Sequence, residues 1–298
     1  MYNQITANKR RTIALIGIFV FIILALGFTF DVVGGRGAGA GGLLFAVIVS
    51  SAMALASYYG GDRVALWTSG AKAIEKRDAP QLYRIVENLA MTAGIATPKV
   101  YVIPDPTINA FATGRDPSHA SIAVTTGAIE RLENEELEGV VAHELSHIKN
   151  YDIRVMTVVI VLVGAIALLS DLLLRARWYG GSGKDDRGGQ AAVVLLVVGI
   201  VLAIVAPLVA ELIKLAVSRR REYLADASGA LLTRFPDGLA RALEKIAAAN
   251  QPMLRANTAT AHLFLANPFG RTRRSFARLF DTHPPVEERV KALRAMAL

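Results

Sequence analysis

A chain of 298 residues that is 53% hydrophobic, with a mean hydropathy of +0.40, is not an ordinary soluble domain. It contains no cysteine, which excludes disulfide staples, thiolate metal sites and thiol catalysis, so any bound metal must be held by histidine and carboxylate. The net charge of +8 flanks apolar runs, at Lys9-Arg10-Arg11 and Arg219-Arg220-Arg221, where a membrane surface rather than a nucleic acid favours it.

A basic leader, residues 1–11, precedes Thr12 to Phe30, which carries no charge and approaches the ~20 residues that cross a bilayer. The Gly-rich stretch Gly34 to Gly42 turns the chain, and Leu43 to Tyr59 returns as a second span. Residues 1–60 are therefore predicted to form an N-terminal transmembrane hairpin with both ends in the cytoplasm. Residues 61–153 read as soluble. A helix starts near Asp78 and Pro80 and carries the stripe Leu82, Ile85, Val86, Leu89. Lys99–Ile103 alternates as a strand and ends at Pro104-Asp105-Pro106. Ile108–Thr113 and Ala120–Thr125 complete a small antiparallel sheet, and a helix capped by Asn134 follows.

Residues 154–217 give a second hairpin, from the apolar runs Val155–Leu169 and Ala191–Ala210 around a polar loop. Asp171, Glu211 and Lys214 fall near its predicted ends and are assigned to the interface rather than to the bilayer interior. Residues 218–298 form a second soluble part, with helices over 218–232 and 237–249, an irregular stretch over 252–282, and a final helix from Pro285. Val286, Val290, Leu293 and Met296 share one face of that last helix.

The stretch Val140-Val141-Ala142-His143-Glu144-Leu145-Ser146-His147-Ile148 holds the chemistry. Residues four apart share a helix face, so His143 and His147 can bind one Zn²⁺, and Glu144 can take a proton from a water in the open position. With only 5 His in the chain, His-Glu-x-x-His rarely arises by chance. A catalytic zinc usually takes a third protein ligand, and here a carboxylate is the natural choice. Glu222 offers one, with Asp226 a turn later positioned to hold the second ring nitrogen of a ligand histidine. His147 lies just before the second hairpin and Glu222 just after it, so the hairpin would bring them to one level. Asp152 is read as either a helix cap or a support to the site, and His119 and His262 as structural. Ligand histidines must be neutral, so activity is expected to fall below roughly pH 6.

Four segments together resemble the HtpX family of membrane zinc metallopeptidases, related to the CAAX prenyl endopeptidases. They are Asn109-Ala110-Phe111-Ala112-Thr113-Gly114, His143 to Asn150, Glu222 to Ala227, and Thr282-His283-Pro284-Pro285. The resemblance implies one Zn²⁺ per chain on His143, His147 and Glu222, with Glu144 as general base. It places Asn109, Ala110, Phe111, Ala112 and Thr113 on an exposed edge strand that pairs with an extended substrate. It also implies that His283 assists at the developing oxyanion or the leaving amine, and that Arg289 belongs to the site.

The fold expected is α+β, mainly α: an integral membrane protein with four predicted transmembrane helices and a zincin-like metallopeptidase domain. The implied activity is hydrolysis of misfolded or damaged membrane proteins in stress response and quality control, at the cytoplasmic face of the cell inner membrane. Expected partners are the lipid bilayer and unfolded protein substrates, without nucleic acid; homo-oligomer formation is left open. Two alternatives stand beside this reading: a CAAX-type prenyl-protein protease, and a non-catalytic membrane scaffold or transport subunit.

Overall fold

The computed structural model describes residues 2–33, 41–161, 219–249, 251–257, 259–270 and 284–296. The expected second membrane hairpin thus lies outside the described residues from 162 onward, as does His283.

Helices α1 (Tyr2–Val33) and α2 (Gly41–Ser69) pack against one another. Leu15, Phe19 and Ile23 recur every fourth residue on the buried face of α1, which is the spacing that lines one helix face. The outward faces present Ile13, Phe21, Leu44, Phe45, Ile48 and Leu55, apolar surface that water disfavours and lipid accepts. Leu43–Ser69, 27 residues, is long and apolar enough to cross a membrane, and among the described residues it is the one helix that meets both criteria. Of the four expected spans, the described residues therefore show one by this measure.

The second helix also runs further than expected, to Ser69 rather than ending near Tyr59. Within this extension Gly61 serves close packing. A Cβ at Gly61 would stand 2.7 Å from Thr157 Cγ2, on a helix described over 152–161 (α6). Beyond that crossing, Ala65 and Leu66 join Ile103, Phe111, Met156 and Ile160 in one apolar cluster.

The sheet has four strands in the order β1-β2-β4-β3: β1 (Lys72–Ala73), β2 (Lys99–Ile103), β3 (Ala110–Gly114) and β4 (Ala120–Thr125). It is mixed rather than antiparallel, because β2 and β4 run parallel while β1 and β3 are antiparallel to their neighbours. The connection after β2 explains the difference. Asp105 Oδ1 accepts from Thr107 N at 2.9 Å and its Oδ2 accepts from Leu254 N at 2.7 Å. Gly127 N also donates to Asp105 O at 3.0 Å and Thr125 Oγ1 to Thr107 O at 2.6 Å, so the connection crosses the end of β4 and β3 lands beyond it. Alternation along a strand reports which face is buried, not the direction of its partner.

Helix α3 (Pro80–Ala93) covers one face of the core with Leu82, Val86 and Leu89, and stops at Gly94, whose φ of 68° suits a left-handed cap. A short helix, α4 (Thr126–Arg131), leads into α5 (Asn134–Lys149). The cap of α5 is Glu133, one residue before the expected Asn134, and the Glu133 N–H donates to Glu136 Oε2 at 2.9 Å. Helices α7 (Arg219–Thr233) and α8 (Pro236–Ala249) pack on α5, and α9 (Val286–Arg294) packs on those two. The core links Val86 of α3, Ile122 of β4, Val141 and Leu145 of α5, Leu243 of α8 and Leu293 of α9. Burying each such side chain contributes about 1.5–3 kcal/mol, so α5 is held on every side.

Candidate active site

α5 is amphipathic in sequence but buried almost throughout from Glu136 to Ile148. Its polar residues therefore face an internal cage rather than solvent. α7 approaches α5 closely because Gly229 has no side chain there; a Cβ would meet His143 N at 3.1 Å. That approach brings Glu222 and Asp226, one turn apart on α7, against the two histidines.

The histidine Nε2 atoms of His143 and His147 lie 3.2 Å apart. Glu222 Oε2 is 3.7 Å from His143 Nε2, and Glu222 Oε1 is 3.6 Å from His147 Nε2. One ligand atom from each of the three lies within 4.8 Å of the others, and all three residues are buried. Tetrahedral bonds of about 2.0–2.1 Å would separate ligand atoms by roughly 3.3 Å, so the cage has the size of a metal site.

The other ring nitrogens fix the proton positions. His143 Nδ1 is 2.9 Å from Asp226 Oδ1, in a bent contact, and His147 Nδ1 is 3.2 Å from Asp152 Oδ2. With both Nδ1–H groups directed at carboxylates, both Nε2 lone pairs point at each other and at Glu222. Three buried, converging electron-rich atoms repel one another unless a cation, a proton or a metal ion, sits among them. The donor set therefore fits a metal ion.

Each supporting carboxylate is held in turn. Arg289 donates to Asp226 through Nε at 2.9 Å and Nη2 at 2.7 Å, and its Nη1 lies 3.8 Å from Glu222 Oε2. Burial pushes the Asp226 carboxyl up, but Arg289 and His143 outweigh it and hold it below the ordinary carboxylate range. Asp152 Oδ1 accepts from Asn8 Nδ2 at 2.7 Å and lies 3.6 Å from Arg221 Nη1. Glu144 is buried beside the cage, not in its triangle of ligand atoms. Burial raises its pKa; the two histidines oppose that rise, Glu222 adds to it, and the Ala112 N–H faces the carboxylate.

The chain's likeness to known proteins agrees with this chemistry. Residues 76–297 match Peptidase family M48. The chain belongs to peptidase family M48. It is 45% identical to a Protease HtpX homolog of Tropheryma whipplei, with 99% of this chain and 98% of that one aligned. Identity is 44% to the Protease HtpX homolog of Caldanaerobacter subterraneus, over 100% of this chain and 98% of that one. The crystal structure of S. mikatae Ste24p shares the fold, with a TM-score of 0.52 at 17% identity over 98% of this chain and 67% of that one. This M48 peptidase is a metalloprotease, and its buried His143, His147 and Glu222 are suited to a metal ion.

The Asn109–Thr113 segment does form the sheet edge, since β3 is an outer strand. The edge is not bare. Thr125 N donates to Asn109 O at 3.0 Å, so by alternation the backbone groups of Ala110, Ala112 and Gly114 point away from β4. Leu265 N donates to Ala110 O at 3.0 Å, and the Asn109 amide brackets the backbone of Ala266 at 3.0 and 3.2 Å. Phe264 packs edge-on against Phe111 with ring centroids 5.0 Å apart. Gly114 N donates to Thr157 Oγ1 at 3.2 Å. Between these covered ends lies Ala112, whose N–H is turned to Glu144. Chain pairing at residues 264–266 has no local sequence signature.

Sequence reading also missed two residues of the cage wall. Asn8 falls in a basic leader without a motif, and Arg221 is one of three arginines whose sequence position suggests the membrane surface. Arg221 is instead buried and faces Asp152. His119 is outside the cage, paired with Asp116 at 2.8 Å, and His262 Nε2 meets Met156 O at 2.9 Å.

One prediction follows from the electrostatics of the cage. Burial alone would lower the pKa of His147, but Asp152, Glu222 and Glu144 raise it to about 9. At neutral pH an incoming cation must displace that proton. Apparent metal affinity should then rise roughly tenfold per pH unit between about pH 6 and 8. Chelator competition across that range measures the slope; an affinity independent of pH would contradict the assigned proton positions.

Proposed function

We propose that this M48 peptidase is a zinc endopeptidase held in the cytoplasmic membrane, cutting unfolded segments of misfolded or damaged membrane proteins at the cytoplasmic face. The observation that carries the catalytic part is the cage itself: three buried ligand atoms whose supporting carboxylates leave their lone pairs converging. His143, His147 and Glu222 would hold the metal, a set of nitrogen and oxygen donors that suits zinc. Bound zinc would polarise the scissile carbonyl and acidify a water. Glu144, its pKa raised by burial, accepts a proton from the attacking water and returns it to the leaving nitrogen. Ala112 directs its N–H at that carboxylate and fixes the base beside the sheet edge. An extended substrate would meet the β3 edge at the Ala112 carbonyl, in the gap between the partners of Ala110 and Gly114, through main-chain bonding that tolerates many sequences. His283 is assigned the oxyanion or the leaving amine.

The membrane part draws on the exposed apolar faces of α1 and α2 and on the charge-free runs within 154–217. Two hairpins, four spans in all, would place both soluble parts on one side, with Arg10, Arg11 and Arg219 at the cytoplasmic headgroups. Prenyl-protein processing and a non-catalytic scaffold are the outcomes that the test must separate. Full-length protein in lipid vesicles would be given a membrane-anchored substrate with a folded or an unfolded cytoplasmic domain, and separately a farnesylated peptide. Cleavage of the unfolded domain alone, abolished by a chelator and restored by zinc, is the expected result. Cleavage confined to the farnesylated peptide would favour prenyl processing, and no cleavage of any substrate would favour the scaffold.

A further inference from the structure

We propose that Asn8, on the first helix, is a positioning residue for the metal centre, acting through Asp152 on His147 and through Asn150 on the end of the catalytic helix. The inference rests on reading the cage as a metal site, and it extends that site into a helix that carries none of its chemistry.

Asn8 is fully buried, whereas Leu15, Phe19 and Ile23 further along α1 bury only apolar surface. An amide buried without partners costs about 1–3 kcal/mol, so its position calls for a bonding role. Its Nδ2 donates to Asp152 Oδ1 at 2.7 Å and to Asn150 O at 2.9 Å. Asn150 is the residue at which α5 ends, so the second bond satisfies a carbonyl at that helix terminus. Thr12 Oγ1 donates to the backbone carbonyl of Asn8 at 2.9 Å and ties the same turn of α1 together.

The consequence lies in the Asp152 carboxylate. One of its oxygens meets His147 Nδ1 at 3.2 Å, and the other takes the Asn8 amide. With both oxygens engaged, the carboxylate cannot rotate away from the ring, and His147 keeps its Nε2 lone pair aimed into the cage. Without the Asn8 donor, Arg221 Nη1, at 3.6 Å, is what remains on that oxygen among the described residues. Partners of this kind typically change metal affinity by about 10–100-fold. The first helix thus supports the metal site through this one side chain rather than through its packing.

The test uses full-length protein in detergent and cobalt as the probe. Its dissociation constant is measured by competition with a chelating indicator, and its visible absorption reports the ligand field. Asn8→Leu removes the donor at similar size. Leu15→Ala loosens the same helix without touching Asp152 and serves as the packing control. Asn8→Leu is expected to weaken cobalt binding about 10–100-fold and to shift the absorption band. Leu15→Ala, though less stable to heat, should match wild type in both. If both variants weaken binding alike, or Asn8→Leu binds as wild type does, the Asn8 proposal is overturned and the metal site stands. Wild-type protein that takes up no cobalt would overturn the metal site itself. Should Asn8→Leu fail to accumulate, Asn8→Ala also removes the donor, adds no charge, and is judged by the same criteria.

Discussion

Replacing Glu144 by Gln is expected to abolish proteolysis while metal binding persists. Glu144 stands outside the triangle of His143, His147 and Glu222 atoms, so the substitution leaves the donor set intact. Glutamine has the size of glutamate and can still accept from the Ala112 N–H, but it cannot take a proton. General-base catalysis is worth roughly 10²- to 10⁴-fold in rate, and the loss should appear in kcat rather than in metal content. Single-turnover cleavage of an unfolded substrate, with metal content measured on the same sample, checks this. A Glu144→Gln enzyme that keeps more than about a tenth of wild-type kcat would remove Glu144 from the chemistry.

The second large effect is expected at Arg289, the largest fully buried side chain in the described core. Its fork grips both oxygens of Asp226, and Asp226 in turn lies against His143. Arg289→Met fills similar volume but strands the Asp226 carboxylate without its partner. Breaking a buried pair in this way costs about 3–5 kcal/mol, and the loosened His143 should weaken metal binding as well. Arg289→Lys keeps the charge but cannot form the fork, so it should fall between the two. Thermal unfolding with and without added zinc measures both consequences. Stability within about 0.5 kcal/mol of wild type for Arg289→Met would show that the pair is not holding the cage.

The parts of this site legible in the sequence were those with a local rule behind them. His143 and His147 are four apart on a helix, and Asp226 follows Glu222 by one turn, so each pair shares a face by helical geometry alone. Glu222 follows in sequence from a topological argument, that a hairpin returns its ends to one level; in the structure Glu222 Oε1 lies 3.6 Å from His147 Nε2. Other features depend on distance along the chain. Asn8 reaches Asp152 across 144 positions, and Asn109 reaches Ala266 across 157; no periodicity encodes such pairings. The parallel partnership of β2 and β4 was hidden for the same reason, because a strand's pattern does not name its neighbour. Arg221 was misread because buried and headgroup-facing arginines look alike within a run of three.

The most direct measurement of the central claim is X-ray absorption at the zinc edge of full-length protein purified in detergent. About one zinc per chain in a four-coordinate shell of nitrogen and oxygen at about 2.0–2.1 Å is expected, with scattering from two imidazoles. In Glu222→Gln the shell should be altered or the zinc lost. Protein that holds no zinc, or holds it without any histidine signature, would contradict the metal centre on His143, His147 and Glu222.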